Sequence, residues 1–353
     1  MKKLFKVLVC LVLAFAVCVT LTACSKDETL KLGMGVEVNL GSTKDTTVQI
    51  DATIAAVVLD KDGKITMCRI DAIQNKATLA SGDYTITNLK TKMELGDDYG
   101  MAKWGQNQDA NGDGIVKEWY DQAKAFENYV VGMTADDVKN IKTAANSHGY
   151  QMATDEALLK AGCTIQITDF IAAVYKACTD EQGTEFTVSS KDEYKLGVGA
   201  SSAADASCAK VEGETDGAVN IYSDMAATVL VNGKVVACVN DAIQPKVSFN
   251  AEGVTSKTFV NTKRCLKEDY GMAKWGQNQD ANGDGIVKEW YEQSRAFSDY
   301  VVGMSADDVK NIKTAANSHG YQMSTDEALL KAGCTIQITG MIEVVEKAAK
   351  NAR

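Results

Sequence analysis

Two histidines, His148 and His319, are all that a chain of 353 residues contains. A hydrolytic triad would have to form around one imidazole in each half, and no Ser-His-Asp or Cys-His arrangement can be placed there. Each histidine stands in an Asn-Ser-His-Gly stretch and reads as a surface turn residue. No CxxC pair occurs, which excludes a zinc ribbon, a dithiol redox motif and a haem attachment site. A GxxxxGK phosphate loop and a dinucleotide fingerprint are missing too. Basic residues never cluster, and 37 of them face 47 acids for a net charge of −10, a balance that argues against nucleic acid as a partner. The acidic doublets Asp97-Asp98 and Asp136-Asp137 read as helix starts or solvated faces, not as an acid–base pair. With no nucleophile, base or catalytic metal set in place, the expected protein is not an enzyme.

Long apolar runs are also scarce. The one near the start, residues 7–21, follows the basic Met1-Lys2-Lys3-Leu4-Phe5-Lys6 and is short of the ~20 residues a spanning helix needs. It leads into Leu21-Thr22-Ala23-Cys24, so residues 1–23 read as a secretory signal. Cysteine at the first mature position resembles the lipobox of bacterial lipoproteins. That resemblance implies a diacylglyceryl group on Cys24 and a membrane partner engaged through lipid alone, at the outer face of the cell membrane. Residues 24–29 are then a lipidated tether. The mature chain keeps 34 basic and 47 acidic residues, −13. Seven cysteines remain beyond Cys24, namely Cys68, Cys163, Cys178, Cys208, Cys238, Cys265 and Cys334. Their number is odd, so at least one thiol stays free in a monomer. They read mostly as small buried apolar residues, with one bridge per half, Cys68 to Cys163 and Cys238 to Cys334, as the alternative.

What the chain does have is itself, twice. Residues 98–168 match residues 269–339 at a constant offset of 171, and only positions 121, 123, 124, 127, 128, 134 and 153 differ. Looser pairing extends upstream: Lys31-Leu32-Gly33-Met34-Gly35 with Lys195-Leu196-Gly197-Val198-Gly199, and Asp71-Ala72-Ile73-Gln74 with Asp241-Ala242-Ile243-Gln244. A period this long is not that of a solenoid, whose units run to ~20–50 residues. The expected organisation is two globular domains on a string, 30–178 and 194–350, joined by a polar linker at 179–193. Residues 30–97 and 194–268 have diverged most, so a difference in specificity between copies is expected there.

Within a copy the periodicity changes halfway. Residues 48–59 and 64–73 are β-branched runs around Asp60-Lys61-Asp62-Gly63, a hairpin signal, and a further strand is expected within 84–90. From Val116 the period is helical, with Trp119, Tyr120, Ala123, Phe126 and Val130 on one face. Thr134, or Ser305 in the second copy, is placed to cap a helix with Asp137 as its acidic third residue. A short helix is expected from Thr154 to near Gly162, a brief strand over 163–167, and a last helix capped by Thr168. Strands first and helices after give an α+β fold, each copy an antiparallel sheet packed by C-terminal helices.

Two segments carry candidate chemistry. Asp109-Ala110-Asn111-Gly112-Asp113-Gly114-Ile115 and its copy Asp280-Ala281-Asn282-Gly283-Asp284-Gly285-Ile286 place oxygens at alternate positions, with glycine at the sixth for a sharp turn. This is the first half of an EF-hand-type calcium loop, with Asp109, Asn111, Asp113 and the Ile115 carbonyl as ligands, and Asp280, Asn282, Asp284 and Ile286 in the second copy. The twelfth position, normally a bidentate glutamate, is Tyr120 or Tyr291, and Glu118 or Asp121 stands nearby. Calcium in such a loop would be structural, with affinity in the extracellular range of ~10⁻⁴–10⁻³ M.

The second segment, Ala161-Gly162-Cys163-Thr164-Ile165-Gln166-Ile167-Thr168, copied at 332–339, runs small residues into a helix start, where N–H groups can receive an anion. Together with the Gly-rich strand at 33–35 and the hairpin at Asp62-Gly63-Lys64-Ile65, it resembles the bacterial FMN-binding domain family of sodium-pumping quinone reductases and flavinylated electron-transfer lipoproteins. The resemblance implies FMN, held through its phosphate by Gly162, Cys163, Thr164 and Thr168 and by Gly333, Cys334, Thr335 and Thr339. It also implies a role beside redox or surface proteins in extracellular electron transfer. The sequence departs from the family at Ala161, where a Ser or Thr is usual, and at Cys163, where Ala is usual. Tyr99 and Trp104, with Tyr270 and Trp275, are aromatics able to stack on a flavin or a sugar, or to lid the core. The residues also support a flavin-free alternative: a calcium-stabilised structural or ligand-binding lipoprotein, such as an adhesin or solute-capturing protein.

Overall fold

The computed structural model describes residues 27–103, 117–259, 261–274, 288–317 and 320–353. Cys24 and the two aspartate-rich loops, Asp109 to Ile115 and Asp280 to Ile286, lie outside the described residues, as do Trp104, Trp275 and His319.

Strands β1 (Asp27–Asn39), β2 (Thr47–Leu59), β3 (Ile65–Ala80) and β4 (Asp83–Asn88) form an antiparallel meander. The Asp60 turn predicted from the sequence joins β2 to β3, with Gly63 at φ +74° and the Asp60 carboxylate accepting from the N–H groups of Asp62 and Lys64. Helical elements follow: α1 (Lys92–Leu95), α2 (Trp119–Tyr129), α3 (Ala135–Lys139), α4 (Glu156–Ala161) and α5 (Thr168–Cys178). A small hairpin, β5 (Thr143–Ala145) and β6 (Gln151–Ala153), carries the exposed His148 at its tip. The second half repeats this plan with β8 (Tyr194–Ala204), β9 (Gly217–Val231), β10 (Lys234–Ile243), β11 (Lys246–Phe249) and β12 (Val254–Thr258). Its helices are α6 (Lys263–Leu266), α7 (Trp290–Tyr300), α8 (Ala306–Lys310), α9 (Glu327–Lys331) and α10 (Thr339–Asn351), with a hairpin of β13 (Thr314–Ala316) and β14 (Gln322–Ser324). The protein is α+β.

Several expectations are corrected here. Residues 163–167 form no strand; a single bridge joins Met152 to Gln166. Thr168 is the first residue of α5, not its cap, which is Ile167. The tether gives way early, since Asp27 and Glu28 already belong to β1. The expected linker contains β7 (Thr184–Ser189), which pairs with β1 from Asp27↔Ser189 to Leu32↔Thr184 and becomes the fifth strand of the first sheet, in the order β4-β3-β2-β1-β7.

The two halves are also not beads on a string. Side chains alternate along a strand, and both faces of each sheet are buried. One face of the first sheet, with Leu32, Met34, Ile50, Ile54 and Val58, shares a core with Leu196, Val198, Ile221, Met225 and Val229 of the second. The opposite face, with Val57, Cys68 and Ile70, packs on Trp119, Phe126 and Phe170 from the helices. The second half does the same with Cys238, Trp290 and Phe297. The result is four layers, helices–sheet–sheet–helices. Burial on both faces is why β2 reads as a near-continuous apolar run instead of alternating.

The junction is reciprocal, the mark of two-fold pairing. Val254 donates to the Asp45 carbonyl, so the β11–β12 turn meets the β1–β2 turn. Val211 donates to the Gly82 carbonyl, so the β8–β9 loop meets the β3–β4 turn. At the centre, Asn75 is fully buried and its Nδ2 donates to Ser202 and Ser223 of the other half. Its counterpart is Pro245, the only proline in the chain, which lacks an N–H and splits the strand equivalent to β3 into β10 and β11.

Candidate functional site

The glycine-Cys-Thr segment is built from helix ends. Gly162, at φ +98°, terminates α4, and the N–H groups of Gly162 and Cys163 return to the carbonyls of Leu159 and Leu158. Thr164 donates both its N–H (2.8 Å) and its hydroxyl (3.2 Å) to Oε1 of Gln122 on α2. Thr335 does the same to Gln293. Lys117 lies over the glycine, its Nζ on the Ala161 carbonyl at 2.9 Å, and a Cβ at Gly162 would fall 2.6 Å from that side chain. Cys163 is fully buried, as is Cys334. Thr168 receives Gln166 Nε2 on its hydroxyl at 2.9 Å. In this structure the donors of Thr164 and Thr335 are engaged by Gln122 and Gln293, and Lys117 and Lys288 lie beside the two bends. The glycines at 33, 35, 197 and 199 have another task as well. A Cβ on any of them would come within 1.9–2.3 Å of a helix carbonyl, of Ala177, Ala173, Ala348 and Val344 respectively. They let α5 and α10 lie directly on β1 and β8.

The proposed calcium ligands fall outside the described residues, but the flanking acid does not. Both oxygens of Glu118 accept backbone N–H groups, from Met101 and Ala102, and Glu289 repeats this with Met272 and Ala273. Tyr120 and Tyr291, at the twelfth position, donate their hydroxyls to Asp97 and Glu268. Among the described residues no cluster of three or more His, Cys, Asp or Glu is arranged to hold a metal. Among the described residues no disulfide forms: the seven cysteines there are free, and burial pushes the thiols of Cys163, Cys178, Cys238 and Cys334 up to about 12.

A constellation missed at the sequence level appears in both copies. The ammonium of Lys92 stands 4.9 Å from the Tyr99 ring and 5.3 Å from Trp119. Lys263 is more enclosed, at 4.3 Å from Tyr222, 4.6 Å from Tyr270 and 5.6 Å from Trp290. Its burial draws its pKa down to about 8 against the opposing pull of Asp224. The nearby acid changes element between copies. Asp169 at the start of α5 has Gly340 as its counterpart, and Asp224 of β9 fills the space a Cβ on Gly340 would take, at 1.9 Å.

A further feature lies where the halves meet. A half-open cavity of about 290 Å³ is walled by Gln182, Cys238, Asn240, Arg264, Tyr291 and Ser298, among others. Arg264 and Asn240 are 6 % and 2 % exposed. Arg264 Nη2 pairs with both oxygens of Asp180 at 2.5 and 2.6 Å, while its Nη1 has no partner. Asn240 Nδ2 donates to Ser298 at 2.8 Å, while its Oδ1 has no partner.

The equivalent place in the first half carries different groups. There Arg69, Ile70, Met93 and Glu127 stand where the second half has Val239, Asn240, Arg264 and Ser298. Glu127 is 1 % exposed, takes the Ile70 N–H at 2.8 Å, and pairs with Arg353 at 3.0 Å and Arg69 at 3.6 Å. Arg353, beyond α10, reaches Glu127 here, and Gln182, its counterpart beyond α5, borders the cavity of the second half. Of the seven positions that differ across the near-identical stretch, four put their second-copy residue on the cavity wall: Glu292, Ser294, Arg295 and Ser298. The difference between copies therefore draws on both the diverged segment and the near-identical one, where the sequence had pointed only to the first.

No family model, curated protein or solved structure matches this chain. Fold and site define a class by themselves: an α+β body of two fused, face-packed sheets flanked by helices, with a half-open cavity in the second half.

Proposed function

We propose that the protein is a lipid-anchored, extracytoplasmic solute-binding module that captures a small molecule in the second-half cavity and performs no chemistry on it. The observation that carries the reading is the concentration of copy-to-copy differences on the cavity wall, at Glu292, Ser294, Arg295 and Ser298. The two copies kept most of their common sequence and differ at these residues. Small ligand pockets begin at about 300 Å³ and use a few placed polar groups for orientation, and this cavity has that size and character. No helix among the described residues is long and apolar enough to cross a membrane, so attachment through Cys24 is the proposed means of localisation. Only Ser25 and Lys26 separate Cys24 from the first strand residue. The extended chain spans at most ~10 Å over three residues, which holds the body against the bilayer.

The test is a thermal-shift screen of small polar molecules on the detergent-purified mature chain and on a variant carrying Val239→Arg, Asn240→Ile and Ser298→Glu, the first-half residues. Compounds that raise the midpoint of the parent chain and leave the variant unmoved are expected, because a ligand stabilises only the form that binds it. If every stabilising compound acts equally on both proteins, the cavity is not a binding site.

A further inference from the structure

We infer that one pole of the body, where the β2–β3 and β9–β10 turns stand with Val131 and Val302 beside them, rests on the lipid bilayer. The inference depends on the anchoring at Cys24 proposed above and goes on to say which surface meets the membrane.

The strand ends define the pole. β1 pairs with β2 from Lys31↔Leu59 and runs four residues further back, to Asp27, on the side of the turn at 60–64. Two residues separate Asp27 from Cys24, so the lipid leaves the body at this end. The Tyr194 hydroxyl, at the start of β8, donates to Thr66 Oγ1 near the start of β3 at 3.0 Å. Tyr194 also pairs with Val231, the last residue of β9. The turn at 232–233 therefore stands at the same end as the turn at 60–64. The contacts of Val254 with Asp45 and of Val211 with Gly82 lie at the other ends of these strands.

Two apolar side chains are left uncovered at the pole. Ile65 exchanges backbone hydrogen bonds with Gly132 (2.7 Å) and Met133 (2.9 Å), and Val235 does so with Gly303 (2.7 Å) and Met304 (2.8 Å). These contacts hold Val131 and Val302 beside the two turns, 49 % and 46 % exposed. The other large apolar residues exposed to this degree among the described residues are Tyr150 and Tyr321, and they lie elsewhere. The carbonyls of their neighbours Gln151 and Gln322 accept the N–H groups of Ile167 and Ile338, at the starts of α5 and α10. Those helices turn their last residues towards the pole, because Ala177 and Ala348 lie on Gly33 and Gly197. The tyrosines thus belong to the helix ends that face away from it.

Charge does not draw the pole to anionic lipid. Lys61 pairs with Asp62 and Lys234 with Asp308, and the Asp60 carboxylate accepts the N–H groups of Asp62 and Lys64. Lys191 and Lys195 are matched by Asp192 and Glu193, while Asp27 and Glu28 add negative charge at the tether. What remains is apolar contact, made probable by a tether so short that it keeps the pole at high local concentration over the membrane. Lysine stems can lie along such a surface with the ammonium at the headgroups.

The experiment is amide hydrogen exchange of the mature chain, its Cys24 lipid established by mass spectrometry, in phosphatidylcholine vesicles. The reference is the Cys24→Ser mature chain free in solution. Peptides covering 59–66, 130–134, 230–236 and 301–305 are expected to exchange about tenfold more slowly on vesicles, and those carrying Tyr150 and Tyr321 equally in both. The double variant Val131→Asp, Val302→Asp, with its thermal midpoint showing that it is folded, is expected to lose this protection while staying on the vesicle. The parent comparison decides by itself if the variant does not fold. A lipidated chain unprotected at the pole, or protected at the tyrosine hairpins instead, overturns the inference and leaves the anchor standing. Protection that persists in the folded variant overturns the role of the valines. A mature chain without lipid overturns the anchoring and, with it, this placement.

Discussion

Asp71 shows what a single buried carboxylate does to this fold. It is 4 % exposed and receives the N–H groups of Ala72 (2.7 Å) and Met93 (3.2 Å), fastening α1 to β3. Burial raises its pKa to about 7, against the lowering effect of Thr91 and those two N–H groups. A folded-state pKa above the unfolded value means the native protein holds the proton longer, so the stability linked to Asp71 is complete in acid and is lost as pH rises from about 4 to about 7. Lys263 works in the opposite direction. Its pKa falls from 10.5 to about 8, so its contribution recovers as pH climbs through that interval. Urea denaturation at a series of pH values is expected to show a shallow minimum near neutrality. Asp71→Asn should flatten the limb between pH 4 and 7, and an unchanged limb would mean that Asp71 does not titrate there. Asp71 and Asp241 were visible in the sequence as matched positions of the repeat. Their burial was not, because it depends on a turn more than twenty residues downstream.

Elements owe their positions to close approach as much as to propensity. Helix α10 lies on β8 with Gly199 beneath it, and an added methyl would meet the Val344 carbonyl at 2.3 Å and the Ala348 N–H nitrogen at 2.5 Å. Backbone cannot swing aside as a side chain can. Gly199→Ala is therefore expected to cost about 1–3 kcal/mol, the usual penalty of overpacking, read as a drop in the denaturation midpoint with the slope unchanged. A midpoint equal to that of the parent would show that the helix shifts freely. The sequence placed β2, β3, β4, α2 and the capping box at Thr134 nearly where they are, because hairpin turns, caps and helical periodicity are local signals. It missed β7 because that polar segment becomes a strand only when β1 offers it an edge.

At the scale of the molecule, the inner faces of the two sheets are each other's solvent shield. Residues 27–183 alone would expose Leu32, Met34, Ile50, Ile54 and Val58 together, with no second sheet to cover them. Apolar area on this scale drives association. The isolated half is expected to be a dimer or larger, measured by light scattering after size-exclusion chromatography, and to melt below the full chain. A monomer with an undiminished midpoint would show that the halves fold independently.

The repeat, the acidic charge and the alternation of strands with helices were all present in the sequence, since each is written in neighbouring residues or in a fixed offset. The cavity was not. Its walls come from the segment after α5, from β10, from α6 and from α7, which meet only when one sheet is laid across the other. Tertiary structure alone could pair Arg264 with Asp180 and Arg353 with Glu127, because burial and charge balance are properties of what surrounds a residue once the chain has closed.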